Sequence, residues 1–234
     1  MRRYLLAAIA AASPLLTSCA MGAHGARYEL SLQRVERPAD ATAQYGAQRV
    51  DRIADAAGRQ FRFSDDVVEV EWTVTSERIG LRLRNKSDHS IRVLWDNAAY
   101  VSPDGVSHRV MHTGVPYASR NEPQPPSVVV RGGEIRDEIV PTDYVFLATA
   151  VNWETRPFLQ LVGGNPEKQS EALVGRTVRV LLPLEIRGVQ NDYLFTFGID
   201  RVCFWPPRYD ALGRMFVPEP KNQKCVPAVA ADKA

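Results

Sequence analysis

His108 and His112 stand four residues apart. In a helix that spacing would bring two imidazoles within reach of one metal ion, and in a strand it places both on one face. Here they bracket Val110 and Met111 at the end of an expected hairpin strand, about 13 Å apart if the chain is extended. One ion does not span that distance. With no Glu following His108 the pattern is not H-E-x-x-H, so the pair reads as surface or loop histidines and neither a metal nor a cofactor is expected. Gly105-Val106-Ser107-His108-Arg109 opens like the G-x-S-x-G nucleophile elbow, but it ends on arginine and lies in a hairpin rather than a strand-to-helix turn. The Asp65-Asp66 pair could ligate calcium, although adjacent aspartates in a turn are far more often solvated. No phosphate loop or dinucleotide fingerprint is present. The chain therefore reads as non-enzymatic. A hydrolase remains an alternative, one that would need a cleft joining His108 or His112 to a carboxylate and a hydroxyl.

Two segments carry residues suited to binding. Between Thr113 and Pro126, Tyr117, Arg120, Asn121 and Gln124 are set among Pro116, Pro123, Pro125 and Pro126. Prolines reduce the conformational freedom lost on binding, and Tyr and Arg are enriched among binding hot spots. The plainer reading is a stiffened crossover between two sheets. In Phe204-Trp205-Pro206-Pro207-Arg208-Tyr209, Trp205 and Tyr209 could stack on a glycan or a partner, or cover the end of a core.

The N-terminus has the layout of an export signal: Arg2 and Arg3, an apolar run from Tyr4 to Leu16 broken by Ser13 and Pro14, then small residues. The run is shorter than the roughly 20 apolar residues of a spanning helix. Leu16-Thr17-Ser18-Cys19 resembles the lipobox of bacterial lipoproteins. The resemblance implies removal of residues 1–18, lipid on Cys19 and lasting attachment to a membrane. Ala20 stands where an Asp would mark inner-membrane retention in a Gram-negative host, so the outer membrane, facing the periplasm, is the expected place there. Residues 19–26 would form a lipidated tether.

The chain carries 29 basic and 27 acidic residues. Two of the basic ones lie in the leader, so the remainder is balanced and shows no basic stripe that would suit nucleic acid. With Cys19 committed to lipid, Cys203 and Cys225 are expected to pair in an oxidising envelope, closing a loop of about 22 residues.

Hydrophobic alternation sets the architecture. Phe61 and Phe63, then Val68, Val70, Trp72 and Val74, then Ile79, Leu81 and Leu83 each follow period two. Ser102-Pro103-Asp104-Gly105 predicts a tight turn between Ala99–Val101 and Val106–Met111. Val178 to Ile186 and Tyr193 to Ile199 predict a hairpin turning at Gly188. Pro183 lacks a donor, which places its strand at an edge or bulge. Tyr45, Val50, Ile53 and Ala57 could line one short helix. These short strands predict an all-β antiparallel sandwich with long Pro-rich loops and little helix, a single domain over residues 27–226 with a disordered tail at 227–234. Over residues 60–200, the Asn85-Lys86-Ser87 turn between strands, the Pro-rich loop and Val130-Arg131-Gly132-Gly133 resemble the immunoglobulin-like modules of exported bacterial proteins, without the inter-sheet cysteine pair of antibody domains. That resemblance implies a scaffold and does not fix function. The expected function is an anchored module that binds a protein partner of the envelope, with a glycan or small-ligand module as the alternative.

Overall fold

The computed structural model describes residues 23–53, 60–209, 215–216, 218 and 220–226. The leader, Cys19 and the 227–234 tail lie outside these residues. In chain order the elements are β1 (Ala23–Glu36), α1 (Ala41–Tyr45), β2 (Arg49–Ile53), β3 (Gln60–Ser64), β4 (Val68–Val74), β5 (Ile79–Asn85), β6 (Ile91–Val93), β7 (Ala99–Val101), β8 (Ser107–His112), β9 (Ser127–Val129) and β10 (Glu134–Pro141). They continue with β11 (Val145–Leu147), β12 (Trp153–Thr155), β13 (Leu161–Val162), α2 (Pro166–Leu173), β14 (Thr177–Ile186), β15 (Val189–Trp205), β16 (Arg208–Tyr209), β17 (Met215–Phe216) and β18 (Lys224–Val226).

Among the described residues every strand pair is antiparallel, and apart from the separate two-stranded pairs β11–β12 and β16–β17 the strands build two facing layers. One layer runs β13-β1-β15-β14, with β7 and the β6–β9 pair sharing the far side of β14. The other runs β2-β3-β4-β5-β10-β8. Strand β8 bonds to β7 as well as to β10, so it turns the corner from one layer to the other. The expected antiparallel sandwich is therefore the fold. Its core is aromatic: Trp72 meets Phe195 and Phe197 across the layers at ring-centroid distances of 4.9 and 5.9 Å, and Phe63 meets Tyr193 and Phe195 edge-on.

The alternating strands form where their patterns place them, because one face of each is buried and the other polar. The β14–β15 hairpin closes through Arg187 and Gly188, both at positive φ, as a two-residue turn whose twist suits the flanking strands. Asn85 is fully buried at the end of β5. Its Nδ2 donates to His89 O and Val129 O at 2.7 and 2.9 Å, and its Oδ1 accepts Ser87 N, which ties the 85–90 turn to β9.

Several expectations are corrected. The strand begins at Ala23, so residues 23–26 belong to β1 and not to the tether: Ala23 and His24 pair with Val162 and Leu161. There is no helix through Tyr45, Val50 and Ile53, since α1 ends at Tyr45 and the other two lie in β2; Ala57 lies outside the described residues. Pro183 sits in a central strand rather than at an edge. It occupies the gap between the β14 residues paired with β7 and those paired with β6, so no neighbour needs its missing N–H, while its carbonyl accepts Leu94 N. Asp65 is not solvated: its residue is 2% exposed and its carboxylate meets Arg37 at 3.1 Å.

Cys203 and Cys225 are cross-strand partners of β15 and β18 with sulfur atoms at bonding distance, 2.07 Å. The bond holds the C-terminal strand to the central one. Replacing both by serine is expected to lower the unfolding free energy by about 2–4 kcal/mol, read from urea denaturation of oxidised wild type and variant side by side. A change under about 0.5 kcal/mol would mean that the β15–β18 pairing alone holds that segment.

Candidate functional site

The 102–106 turn is built by Ser102, Pro103, Asp104 and Gly105. Ser102 N donates to Val106 O, Gly105 N donates to Ser102 O, and Gly105 takes the positive φ the turn requires. Because the turn is tight, His108 on the returning strand lies beside Ser102. Its Nε2 is 3.1 Å from Ser102 Oγ. On the other side of the ring Nδ1 is 2.9 Å from Asp143 Oδ2. Asp143 comes from the 3-10 turn Thr142–Tyr144, which follows β10 and is brought to this corner because β10 pairs with β8.

These three residues border a cleft of about 380 Å³, walled further by Val106, Tyr144, Arg156, Phe158, Leu159 and Leu173. The rings of Tyr100 and Tyr144 lie beside the imidazole, with centroids at 5.8 and 5.2 Å from it. The Arg156 guanidinium lies 5.0 Å from the Tyr144 ring centroid and donates to Asp143 O, and no carboxylate pairs with it among the described residues. Burial raises the Tyr144 phenol above its ordinary pKa, with the Asp143 carboxylate adding to the effect and Arg156 opposing it. The Asp104 carboxyl is held below its usual range, chiefly by the hydrogen bond from the Ser102 hydroxyl. The Tyr100 hydroxyl is buried beneath these rings and has no hydrogen-bond partner among the described residues.

The second histidine belongs to a different cluster. His112 Nδ1 is 3.0 Å from Asp137 Oδ2, and its ring stacks on Trp95 at 4.5 Å. Asp137 Oδ1 also accepts Thr113 N, so this cluster fixes the start of the Pro-rich loop. Among the described residues no group of three His, Cys, Asp or Glu could hold a metal ion.

The Pro-rich loop divides by residue. Tyr117 is exposed, as is Asn121, whose carbonyl accepts Arg109 Nη1 at 2.7 Å. Arg120 lies 4.9 Å from the Trp153 ring centroid, joining the loop to the β11–β12 hairpin, and bonds back to Tyr117 O. Gln124 is corrected: at 4% exposure its amide donates to Val110 O and accepts His112 N, so it clamps the loop instead of meeting a partner. Trp205 is corrected likewise. It is 8% exposed and packs over Gly25, where any Cβ would collide with the indole. Tyr209 lies in β16 opposite Met215, and its side chain is outside the described residues.

No catalytic motif marks Ser102, Asp143 or Arg156 in the sequence, and Ser107, the serine of the elbow-like pattern, is exposed and pairs with Val101. A tight turn at 102–105 sets residues 102 and 108 beside each other, so the Ser102–His108 pair was open to inference, whereas Asp143 lies 35 residues beyond His108 and arrives only through the β8–β10 pairing.

Fold and site together define an antiparallel β-sandwich with a polar relay and cleft at one corner. No family model, curated protein or solved structure matches the chain.

Proposed function

We propose that this chain is a lipid-anchored protein of a bacterial envelope, held through Cys19, whose immunoglobulin-like sandwich docks a protein partner. In a Gram-negative host the outer membrane, facing the periplasm, is its place. The lipobox-like leader supports the anchor, and the resemblance of residues 60–200 supports the scaffold. The observation that carries the docking role is the joining of the Pro-rich loop to the β11–β12 hairpin by Arg120 on Trp153. The hairpin exposes Phe146, Leu147 and Val151 next to this junction, and the loop exposes Tyr117. Exposed apolar side chains beside Tyr and Arg anchors on a proline-stiffened frame suit a protein surface. Of the aromatics on which the glycan alternative rests, Trp205 is buried and Tyr117 is exposed.

The test is site-specific photo-cross-linking in the native envelope. Probes at positions 117 and 147 are expected to give one discrete protein adduct, and a probe at 92, an exposed residue of β6, none. Adducts that are absent, or equal from all three positions, would remove the docking surface. Palmitate labelling that is lost with Cys19→Ser tests the anchor separately.

A further inference from the structure

We propose that the 102–108 turn, with Asp143, forms a serine-nucleophile site that hydrolyses carboxylic esters of acyl chains, an activity beyond the docking role. Three features converge. Ser102 Oγ, His108 and Asp143 are in series at 3.1 and 2.9 Å, the order of nucleophile, base and base-orienting carboxylate. The series borders a cleft of about 380 Å³ with an apolar wall of Val106, Phe158, Leu159 and Leu173, which suits an acyl chain. Arg156 borders the same cleft with no carboxylate partner among the described residues, and its bond to Asp143 O through Nη2 leaves its other N–H groups to meet negative charge.

The chemistry balances with these groups and water. Ser102 Oγ bonds to the ester carbonyl carbon as its proton passes to His108 Nε2. The carbon–oxygen bond to the alcohol breaks, and His108 gives that proton to the leaving alkoxide. Water then attacks the acyl-serine and yields a proton to His108. Ser102 departs and takes the proton back, releasing the carboxylic acid. Asp143 is a positioning residue, accepting from Nδ1–H so that Nε2 is free to act as base. The residue after the nucleophile often donates a backbone N–H to the oxyanion, and Pro103 has none. Arg156 is therefore the group assigned to the charge developing on the carbonyl oxygen.

Asp104 sets the resting state. The Ser102 hydroxyl has one proton and three acceptors around it: the Asp104 carboxylate, Val106 O at 3.2 Å and His108 Nε2. A hydroxyl turned to Asp104 is not primed, so this carboxylate restrains the site. The cleft also lies near the end where the chain enters the fold. Leu159 precedes by two residues Leu161, which pairs with His24, and residues 19–23 span at most about 13 Å. With the anchor proposed above, membrane-borne esters fall within reach; the chemistry itself does not depend on the anchor.

The experiment uses full-length protein in detergent micelles with a fluorophosphonate probe and p-nitrophenyl butyrate. The probe is expected to label Ser102, located by peptide mapping. Ser102→Ala and His108→Gln should each lower ester turnover at least 100-fold. Asp143→Asn should lower kcat at least tenfold with KM unchanged, and Asp104→Ala should raise kcat several-fold. Wild-type protein that stays unlabelled, or that carries the label on another residue, overturns the proposal whether or not the variants fold. So does full turnover by folded Ser102→Ala. Cys19→Ser protein in the same assay should keep its turnover on the soluble ester, so that loss of the anchor and loss of the chemistry are told apart.

Discussion

Asp65→Ala is expected to cost about 3–5 kcal/mol of unfolding free energy, a large part of the roughly 5–15 kcal/mol that holds a domain together. The Asp65 side chain is fully buried and its carboxylate serves four groups. Arg37 Nη1 approaches Oδ2 at 3.1 Å and Tyr193 Oη donates to Oδ2 at 3.2 Å, while Val67 N and Val68 N each donate to Oδ1 at 2.9 Å. Arg37 is itself buried and reaches Gly46 O. One side chain therefore ties the segment after β1, the β3–β4 turn and the central strand β15 into one unit. Burial drives the Tyr193 phenol well above its ordinary pKa, and the neighbouring Asp65 adds to this, so the phenol remains a neutral donor. Alanine would strand a buried guanidinium, two backbone N–H groups and a phenol at once. Arg37→Met should also destabilise, because it leaves the Asp65 charge without its cation. The double variant should cost far less than the sum of the two. Urea denaturation of the four proteins makes the measurement; a single-variant cost under about 1 kcal/mol, or strict additivity, would show that the pair is not a unit.

That cluster also marks where sequence reading stopped. Val68, Val70, Trp72 and Val74 declare a half-buried strand because burial on one face imposes period two on residue type, and the same holds for Val178 to Ile186. Asp65 and Asp66 are chemically identical in sequence. What separates them is that Arg37, 28 residues earlier, is folded against the first of them. Ala23 to Ala26 carry no alternation, and their strand conformation comes from the residues opposite, Leu161, Val162, Phe204 and Trp205. Gln124 is a polar residue among prolines, which reads as surface. Its burial follows from two backbone groups of β8 that it satisfies. The corner site was half legible: turn chemistry brings Ser102 to His108, while Asp143 depends on how β8 passes between the layers.

Trp72→Ala is expected to cost about 3–5 kcal/mol as well, by a different route. Trp72 is fully buried, flanked in its own layer by Phe61 and Leu81 and packed across the layers on Phe195 and Phe197. Removing the indole opens a cavity between sheets whose backbone ladders hold them apart, so the walls relax only in part. Trp72→Phe separates packing from polarity. The indole Nε1 is buried without a partner among the described residues, so phenylalanine discards an unsatisfied donor while keeping most of the ring, and its cost should stay under about 1.5 kcal/mol. Denaturation midpoints, with near-ultraviolet circular dichroism to follow the aromatic core, distinguish the two. Because β8 joins both layers through hydrogen bonds, the sandwich has a covalent and hydrogen-bonded hinge independent of its core. If Trp72→Ala costs less than about 1 kcal/mol, that hinge and the strand ladders hold the layers together. A loss of the expected size means that the inter-sheet aromatics do, and that the corner carrying Ser102, His108 and Asp143 is held in place by a core more than one strand away from it.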